Sequence, residues 1–331
     1  MKIIVVGFGS IGKRHIRNLK VVDPSLDIAV LRQRSRDTDL GEFTKLVSKV
    51  FLRMEDALAW KPRVAVIANP APLHMAAAQK FAAAGAHLFI EKPLSIELAQ
   101  IDRLANICRT TKVIAAVGYV LRFSKPLLCL KQAIGKGRIG RILNVQARVG
   151  RFLPDWRPGT DYTAAVSSRR ELGGGVIWEL SHELDYLRWL AGEVREVTAY
   201  AENCGDFNID VEDTAEMQLR LSGRILAHVH MDMLDRAATR GCRIIGTDAT
   251  LTWDSTGNEH QVRLFKNGTW RTLFKARNLD ISAMHRAQWK HFLGCLHHRR
   301  APLVSLADGR RIVEVVLAAK RSAKTRKGVK L

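Results

Sequence analysis

The stretch KIIVVGFGSIGKRHIRNLK, residues 2–20, decides how the N-terminal part of the chain folds. The apolar run KIIVV predicts a buried strand, and IGKRHIRNLK predicts a helix almost directly after it. Between them lies a turn with the spacing GxGxxG. In a strand–turn–helix unit the first glycine makes the tight turn, the second lets a pyrophosphate approach the backbone, and the third lets the helix pack on the strand. The predicted phosphate contacts are therefore Gly7, Phe8, Gly9, Ser10, Ile11 and Gly12.

Outward from this stretch, residues 1–118 alternate β-rich runs with helical patterns, which is typical of a parallel sheet with helices on both faces. Pro72 suits the first turn of a helix, and Ser95 suits an N-cap. Strands are predicted over residues 2–6, 27–32, 50–52, 63–68, 87–90 and 113–117, with helices beginning near Ile11, Met54, Pro72 and Ser95.

After Gly118 the pattern changes to a helix followed by a series of strands. Several of these strands alternate polar with apolar residues, which suits a mostly antiparallel sheet with one face solvated or covered by another subunit. Strands are predicted over residues 142–148, 194–202, 214–221, 224–234, 242–247 and 261–265, and helices over 127–134, after 173–175, 282–297 and 306–323. We therefore expect an α/β plus α+β fold: a Rossmann NAD(P)-binding domain, residues 1–118, and a substrate-binding and oligomerisation domain, residues 119–331.

The composition excludes several other classes of protein. A chain of 331 residues suits two domains, and 47% hydrophobic with 26% charged residues describes a soluble globular protein. The first apolar run is too short for a secretory leader, and no run of eighteen apolar residues occurs, so we expect a cytoplasmic protein without a membrane span. The five scattered cysteines have no CxxC or zinc-ligand spacing, which predicts free thiols and no metal site.

The net charge of +21, from 53 Lys and Arg against 32 Asp and Glu, would suit a nucleic-acid-binding protein. The excess is spread along the chain apart from residues 320–330, and no nucleic-acid motif accompanies it. We interpret it as a solvated basic surface, part of which can attract an anionic cofactor and substrate.

The end of the second predicted strand bears on the choice of cofactor. An NAD-specific site usually places Asp or Glu there, against the ribose hydroxyls of the adenosine. The stretch LRQRSR, residues 31–36, has no acid before Asp37, and Arg32, Arg34 and Ser35 suit a 2′-phosphate instead. NADP is therefore favoured over NAD, although an arginine can also stack on adenine and another loop could supply an acid.

Three further motifs follow along the chain: NPAPLH at residues 69–74, EKP at residues 91–93, and GGG at residues 173–175 followed by His182 and Asp185. With the glycine turn, they make the whole chain resemble the glucose-fructose oxidoreductase/inositol dehydrogenase (Gfo/Idh/MocA) family. The resemblance implies a nicotinamide cofactor, a sugar-type substrate, and a homodimer or homotetramer joined through the second-domain sheet.

The resemblance also assigns roles to individual residues. It implies that Lys92 lies near both the substrate hydroxyl and the nicotinamide, where a lysine can take the proton that a carbinol loses on oxidation. It implies that His182 is a proton relay or substrate ligand. Many family members carry an aspartate four residues before this histidine; here that position is Trp178, and the acid is Glu179, three residues before it and expected on the same helix face. Asp185 either joins the catalytic group or anchors the helix. Further cofactor contacts are expected from Asn69, Pro70, His74, Glu91 and Lys92.

Two stretches are predicted to shape substrate specificity: Tyr119 and Arg122 at the domain junction, and Trp156, Arg157 and Tyr162 before the glycines. An aromatic ring beside an arginine suits a pyranose face with a carboxylate or phosphate. The second stretch resembles a loop in family members linked to bacterial surface sugars, but an ordered surface loop or an oligomer contact is the alternative.

The sequence thus predicts an NAD(P)-dependent oxidoreductase acting on a carbinol or carbonyl of a sugar, with a nucleotide-linked or acidic sugar of surface polysaccharide synthesis as a candidate substrate. The alternative is a redox sensor or regulator that binds the dinucleotide without turnover. The presence of Lys92 and His182 argues against that alternative.

Overall fold

The computed structural model describes residues 1–32, 39–205 and 207–331. The chain divides into two compact units, each of which packs mainly within itself. The first consists of Met1–Val120 and Ile281–Val313, and the second of Leu121–Asp280 and Glu314–Leu331. The first unit's N-terminal segment thus ends at Val120, two residues after the predicted boundary at residue 118. The predicted second domain, however, included residues 281–313, which pack within the first unit.

The secondary structure alternates in the first part of the chain and is strand-rich in the second. In chain order the helices are α1 (Ser10–Val22), α2 (Met54–Ala59), α3 (His74–Ala83), α4 (Leu98–Thr111), α5 (Lys125–Gly135), α6 (Val176–Glu179), α7 (His182–Ala191), α8 (Ile281–His298) and α9 (Leu306–Thr325). The strands are β1 (Lys2–Val6), β2 (Asp27–Leu31), β3 (Lys49–Phe51), β4 (Val64–Ile67), β5 (His87–Ile90), β6 (Ala115–Val117), β7 (Ile142–Gly150), β8 (Val194–Glu202), β9 (Thr214–Leu221), β10 (Leu226–Asp232), β11 (Thr239–Gly246), β12 (Thr250–Thr256), β13 (Glu259–Lys266), β14 (Thr269–Arg277) and β15 (Val329–Lys330).

The sheet of the first unit has six parallel strands in the order β3-β2-β1-β4-β5-β6. Strands β1, β4 and β5 are apolar and almost completely buried, as expected of strands covered by helices on both faces. The strand order reverses between β1 and β4, and in such sheets ligands bind outside the carboxyl ends of the strands at this point. The predicted Rossmann arrangement is confirmed.

Helix α8 explains why residues after 280 belong to the first unit. Its Trp289 stacks on Phe89 of β5 with ring centroids 4.4 Å apart, and its Phe292 meets the same ring edge-on at 5.7 Å. Both side chains are buried in one cluster with the apolar residues of β1 and α1. Burying a side chain the size of Phe stabilises a fold by about 1.5–3 kcal/mol. The aromatic residues of α8 therefore hold it in the core of the first unit.

The sheet of the second unit has nine strands in the order β14-β13-β12-β11-β7-β10-β9-β8-β15. Strands β7 and β10 run parallel, and the other neighbouring strands run antiparallel. Along β7, Val145, Ala147 and Val149 are buried while Gln146 and Arg148 are exposed. The predicted, mostly antiparallel sheet with one open face is therefore confirmed.

Several element boundaries differ from the predicted ones. Helix α4 begins at Leu98, and Ser95 is not its N-cap: the Ser95 hydroxyl accepts the N–H of Glu97 at 3.1 Å in the turn before it. Pro72 lies in a short 3-10 turn ahead of α3.

Strands β12 and β14 were not predicted. Most of β14 is exposed, so it lacks a clean alternation, although Asn267 and Gly268 before it both have the positive φ of a tight hairpin turn. An Asn-Gly pair is the signal that could have revealed this hairpin.

Within residues 1–32, 39–205 and 207–331, no helix has the length and apolar character required to cross a membrane. All five cysteines are described, and all are free thiols.

Candidate active site

The glycine turn after β1 has three distinct environments. Gly7 has a φ of +100°, and a Cβ there would lie 2.8 Å from the carbonyl oxygen of Ala68. A Cβ on Gly12 would collide with the carbonyl oxygen of Gly7, because α1 passes directly over the turn. A Cβ on Gly9, in contrast, would meet no atom of the described residues within 4 Å. The turn therefore leaves open space at the middle glycine, where a pyrophosphate must approach the backbone.

Helix α1 begins at Ser10 and presents its N-terminus at this open space. Gly9 is its N-cap, no side chain in the described part of the chain caps the first turn, and the first turn carries no acidic residue. The first N–H groups of a helix lack intrahelical partners and favour an anion. The side chain of Ile11 packs against the core and holds the turn in place. These features fit the diphosphate of a dinucleotide.

Aromatic and cationic side chains lie around Phe8 of the glycine turn, and one of them, Arg32, directly follows β2. The guanidinium of Arg32 lies 5.3 Å from the ring centroid of Phe8, and the ammonium of Lys13 lies 4.9 Å from it. Phe43 meets Phe8 edge-on at 5.4 Å. Arg32 also donates to the carbonyl of Asp39 at 2.9 Å. Arg34 and Ser35 lie outside the described residues. Lys13 and Phe43 were not singled out from the sequence, because neither belongs to the fingerprint.

The segment after β4 is tied to the segment after β5 by His74. This buried ring lies with its two nitrogens 2.7 Å from the carbonyl oxygen of Asn69 and 3.0 Å from that of Pro93. Burial lowers the pKa of His74, and the two carbonyl contacts act in the opposite direction. Asn69 and Pro70 are half-buried at the carboxyl end of β4. The histidine predicted as a cofactor contact thus joins two loops at one edge of the sheet.

Lys92 follows β5 at the same edge. It is half-buried, its N–H donates to the Glu91 carboxylate at 3.2 Å, and its peptide bond to Pro93 is cis. Glu91 itself is 7% exposed and accepts a hydrogen bond from His15 at 2.7 Å. A Cβ on Gly118 would lie 2.8 Å from the Glu91 carboxylate, so the glycine is needed to accommodate it.

In the second unit, the glycines 173–175 fit into narrow spaces. A Cβ on Gly174 would collide with the carbonyl oxygen of Val166, and one on Gly175, whose φ is +108°, would lie 2.6 Å from the Glu212 carboxylate. The N–H of Val176 donates to the Glu212 carbonyl at 2.9 Å, and the Glu212 carboxylate pairs with Lys320 at 2.6 Å. The glycines therefore allow α6 to begin close to Glu212, in the segment that connects β8 to β9.

The helix predicted to carry both Glu179 and His182 is interrupted. Helix α6 ends at Glu179 and α7 begins at His182, with the Ser181 hydroxyl donating to the Trp178 carbonyl at 2.9 Å in the break. The expectation that Glu179 and His182 share one face of a continuous helix was wrong. A serine that satisfies a carbonyl of the preceding turn offers the backbone an alternative to the helical hydrogen bond. Both Glu179 and His182 are half-buried.

Asp185 is fully buried in α7 and forms an ion pair with Arg122. Nε and Nη2 of the arginine donate to the carboxylate at 3.0 and 2.7 Å, and the Arg122 side chain is only 3% exposed. The neighbouring acid, Glu183, is also fully buried and lies 2.8 Å from Nε of Arg240. Of the two roles weighed for Asp185, this geometry favours anchoring the helix. Arg122 holds that anchor, and Tyr119 is fully buried. Their predicted contact with substrate stays a prediction.

The predicted specificity loop between β7 and the glycines consists of short 3-10 turns. Trp156 is half-buried and donates its indole N–H to the Arg151 carbonyl at 2.9 Å, and Arg157 is exposed. Tyr162 meets Phe207 edge-on at 5.6 Å.

Phe207 also contacts Phe152, and the guanidinium of Arg236 lies 3.9 Å from the centroid of the Phe152 ring. Phe207 and Arg236 were missed from the sequence, since they are distant from the loop along the chain.

Comparison with known families agrees with this geometry. A model of an oxidoreductase family with an NAD-binding Rossmann fold matches residues 1–119, and a model of the Gfo/Idh/MocA C-terminal domain matches residues 127–252. The chain belongs to the Gfo/Idh/MocA family. The family and the fold predicted from the sequence are therefore confirmed, and the chain is an NAD(P)-dependent oxidoreductase.

Relatives in the Gfo/Idh/MocA family align with nearly the whole chain. Myo-inositol 2-dehydrogenase of Thermotoga maritima is 27% identical, over 100% of this chain and 98% of the relative. UDP-N-acetylglucosamine 3-dehydrogenase of Acidithiobacillus ferrooxidans is 23% identical, over 96% and 95%. The solved structure of WlbA dehydrogenase from Bordetella pertussis, in complex with NADH and UDP-GlcNAcA, is 24% identical over 100% of this chain and 98% of that chain, with a TM-score of 0.85. It shows the same fold.

Because the space at Gly9 is open, we predict that a side chain there weakens cofactor binding without lowering the stability of the fold. Gly9→Val should leave thermal stability unchanged, because its Cβ meets no described atom and its φ of −77° suits any residue. The branched side chain should weaken NAD(P)H binding by about 100-fold or more, about 2.7 kcal/mol. Gly12→Val is the matched comparison: it should lower the melting temperature itself, because it collides with the Gly7 backbone. Fluorescence titration and thermal melts test both, and wild-type affinity in Gly9→Val would contradict the assignment.

The buried Arg122–Asp185 pair predicts a large loss of stability when one partner is removed. Asp185→Asn leaves the guanidinium of Arg122 buried without its counter-charge and should cost about 3–5 kcal/mol. Glu171→Gln, which removes the exposed partner of Arg169 in the same unit, should cost about 0–1 kcal/mol. Urea unfolding at equal protein concentration measures both. Similar midpoints for the two variants would show that Asp185 is not an anchor.

Proposed function

We propose that this oxidoreductase transfers a hydride between nicotinamide and the carbinol or carbonyl carbon of a sugar, with Lys92 exchanging the proton at the sugar oxygen. The observation that carries the proposal is the position of Lys92 at the carboxyl end of β5. The glycine turn follows β1 at the same edge, with β4 between the two strands. Ligands of open parallel sheets bind at this edge.

Each proposed role follows from the chemistry of hydride transfer. A bound nicotinamide supplies the group that accepts or returns the hydride. When the carbinol is oxidised, its hydroxyl proton must also leave, and the amine of Lys92 in its neutral form takes it; in the reverse direction the ammonium returns it. Because the same residues serve both directions, the proposal covers oxidation and reduction.

In the second unit we propose that His182 acts as a proton relay or substrate ligand, and that Glu179 supports it. His182 is the first residue of α7, and the buried partners of Asp185 and Glu183 fix that end of the helix. Asp185 accordingly acts by holding α7 and not by touching substrate.

For the substrate, we propose a nucleotide-linked or acidic sugar. The loop of Trp156, Arg157 and Tyr162 combines aromatic rings with cations, and Arg236 stacked on Phe152 adds a further cation to the same cluster. Such a surface suits a pyranose together with a phosphate or carboxylate. Relatives named for inositol and for UDP-N-acetylglucosamine span the neutral and the nucleotide-linked classes. A panel of neutral and nucleotide-linked sugars, tested for a change in nicotinamide absorbance, distinguishes the two substrate classes. A redox sensor without turnover would show no change with either class.

For the cofactor, we propose NADP in preference to NAD. Arg32 follows β2 and lies over the Phe8 ring, on the side of the glycine turn where the adenosine ribose is expected. The cation suits a 2′-phosphate, which an acid at this position would repel.

For the cellular location, we propose the cytoplasm. The five cysteines are free thiols, which suit a reducing compartment.

For the assembly, we propose a homodimer or homotetramer joined through the open face of the second-unit sheet. This face carries four exposed large side chains on different strands: Tyr200, Leu226, Phe265 and Trp270. It also carries cations and carboxylates side by side, such as Arg148 and Asp254 at 3.6 Å. Two subunits related by a two-fold axis can therefore pair charges of opposite sign across the same face.

The assembly can be tested by light scattering at micromolar concentration. Tyr200→Asp with Leu226→Asp should lower the measured mass to that of one chain, because each places a charge in the contact. Leu128→Asp, an exposed position on α5 of the same unit, should leave the mass unchanged. A wild-type mass of one chain would reject the proposal.

The role of Lys92 can be tested by Lys92→Met, which removes the amine and keeps much of the volume. Turnover should fall by about 100-fold or more, the usual scale for a lost acid–base group, while cofactor affinity changes little. His182→Asn should lower turnover and alter its pH profile. Lys80→Met, an exposed lysine on α3, is the control and should be silent. Near-wild-type turnover in Lys92→Met would show that the proton leaves by another route.

The cofactor preference can be tested by titrating NADPH and NADH. The wild type should bind NADPH more tightly, and Arg32→Ala with Arg34→Ala should abolish the difference mainly by weakening NADPH. Arg53→Ala, which alters an exposed cation elsewhere in the first unit, should preserve it. Equal affinities in the wild type would overturn the preference for NADP.

A further inference from the structure

Behind the predicted catalytic lysine, a chain of buried hydrogen bonds crosses the first unit. The indole N–H of Trp289 in α8 donates to Nδ1 of His15 at 3.0 Å. Nε2 of His15, on the phosphate-binding helix α1, lies 2.7 Å from Oε1 of Glu91. Oε2 of Glu91 accepts the backbone N–H of Lys92 at 3.2 Å. His15 and Trp289 are both fully buried.

The partners determine the protonation of His15 in this arrangement. An indole nitrogen can only donate a hydrogen bond, so Nδ1 of His15 must be an acceptor without a proton. The proton of the neutral imidazole is therefore on Nε2, which donates to the carboxylate of Glu91. The ring is further enclosed by Phe89 and His285, with centroids 5.2 and 5.7 Å away. One tautomer and one orientation are thereby selected.

The hydrogen bond from His15 helps Glu91 to remain ionised. Burial, the largest single influence, would raise the pKa of Glu91, but the hydrogen bond from His15 and the attraction of neighbouring groups such as Lys92 together offset burial and hold the pKa below its ordinary value. The other titratable groups that act on the carboxylate are His285 from α8, His74 from α3 and Lys92. Burial lowers the pKa of His285 to about 4 and also lowers that of His74. Burial therefore disfavours a positive charge on either ring.

We propose that His15 and Trp289 are positioning residues for Lys92: the indole selects the tautomer of His15, and His15 holds the Glu91 carboxylate against the backbone of the lysine. The inference rests on the proposed role of Lys92. It gives α1 two tasks, because the helix whose N-terminus suits the pyrophosphate also carries the residue that orients the proton-transfer segment. It also connects α8, from a distant part of the chain, to the reaction.

Four variants test the proposal with NADPH as the binding probe and the sugar turned over by the wild type as substrate. Trp289→Phe keeps the ring but removes the donor, and His15→Leu removes the imidazole. Both should lower kcat by about 10- to 100-fold, the scale for losing a group that orients a reacting residue, with less than about a twofold change in the Kd of NADPH. His15→Gln should recover much of kcat, because its amide N–H can donate in place of Nε2. The control is Lys290→Gln, an exposed position next to Trp289 on the same helix, which should stay near wild type.

The pH profile separates positioning from simple packing. In His15→Leu, the largest of the influences that offset burial is lost and the pKa of Glu91 rises, so the carboxylate takes up a proton at a higher pH and kcat falls as the pH is lowered. The double variant His15→Leu with Glu91→Gln has no carboxyl group to titrate, and this acid limb should disappear. An unchanged profile in His15→Leu would assign the histidine a packing role only.

Nitrogen-15 NMR of histidine-labelled protein supplies a readout that does not need turnover. We expect the Nε2–H tautomer of His15 in the wild type and loss of that preference in Trp289→Phe. A proton on Nδ1, or a kcat in Trp289→Phe equal to that of Lys290→Gln, would overturn the proposal. If His15→Leu does not fold, Trp289→Phe and His15→Gln still decide it. Wild-type turnover in Lys92→Met would instead remove the proposed function and leave the tautomer result standing.

Discussion

The first unit is arranged around one buried negative charge, the carboxylate of Glu91. An ionised carboxylate in the interior costs several kcal/mol unless it is hydrogen-bonded. Here one oxygen accepts from His15 and the other from the backbone of Lys92, and the absence of a side chain at Gly118 leaves the carboxylate its space. Helix α1, the ends of β5 and β6, and α8 through Trp289 all contribute to this one group. The next residue along the chain is Lys92, the residue that we propose exchanges the proton with the sugar.

This constraint also accounts for the division of the chain. The pattern of residues 282–297 predicted a helix correctly, but an apolar helix face does not specify which core it covers. The choice depends on Trp289 and Phe292 packing against Phe89, a contact between residues far apart along the chain. Sequence order placed α8 with the preceding strands, and three-dimensional packing places it with the first unit.

What could be predicted depended on whether a feature is local in the sequence. Strands β1, β5, β8 and β9 were predicted to the residue, because each is a short apolar or alternating run bounded by turn residues. The glycine turn was predictable in detail, since the three glycines have separate steric requirements that the structure reproduces. The break between Glu179 and His182 was not, because the helical spacing of the side chains continues across it and only the Ser181 hydroxyl interrupts the backbone pattern. The Arg122–Asp185 and His15–Glu91 pairs join residues 63 and 76 positions apart, which no motif connects.

The two units fix their functional segments by different physical means. In the first, a neutral imidazole in one tautomer delivers a hydrogen bond to a buried carboxylate. In the second, α7 is held by two ion pairs, from Arg122 to Asp185 and from Arg240 to Glu183, and both acids are fully buried in its first turns. Buried ion pairs of this kind often add no net stability compared with apolar residues of the same volume, because desolvation offsets the attraction. Their geometry is nevertheless strict, since each charge is tolerated only where its partner lies. We therefore attribute them to the placement of α7, and with it of His182, more than to the stability of the unit.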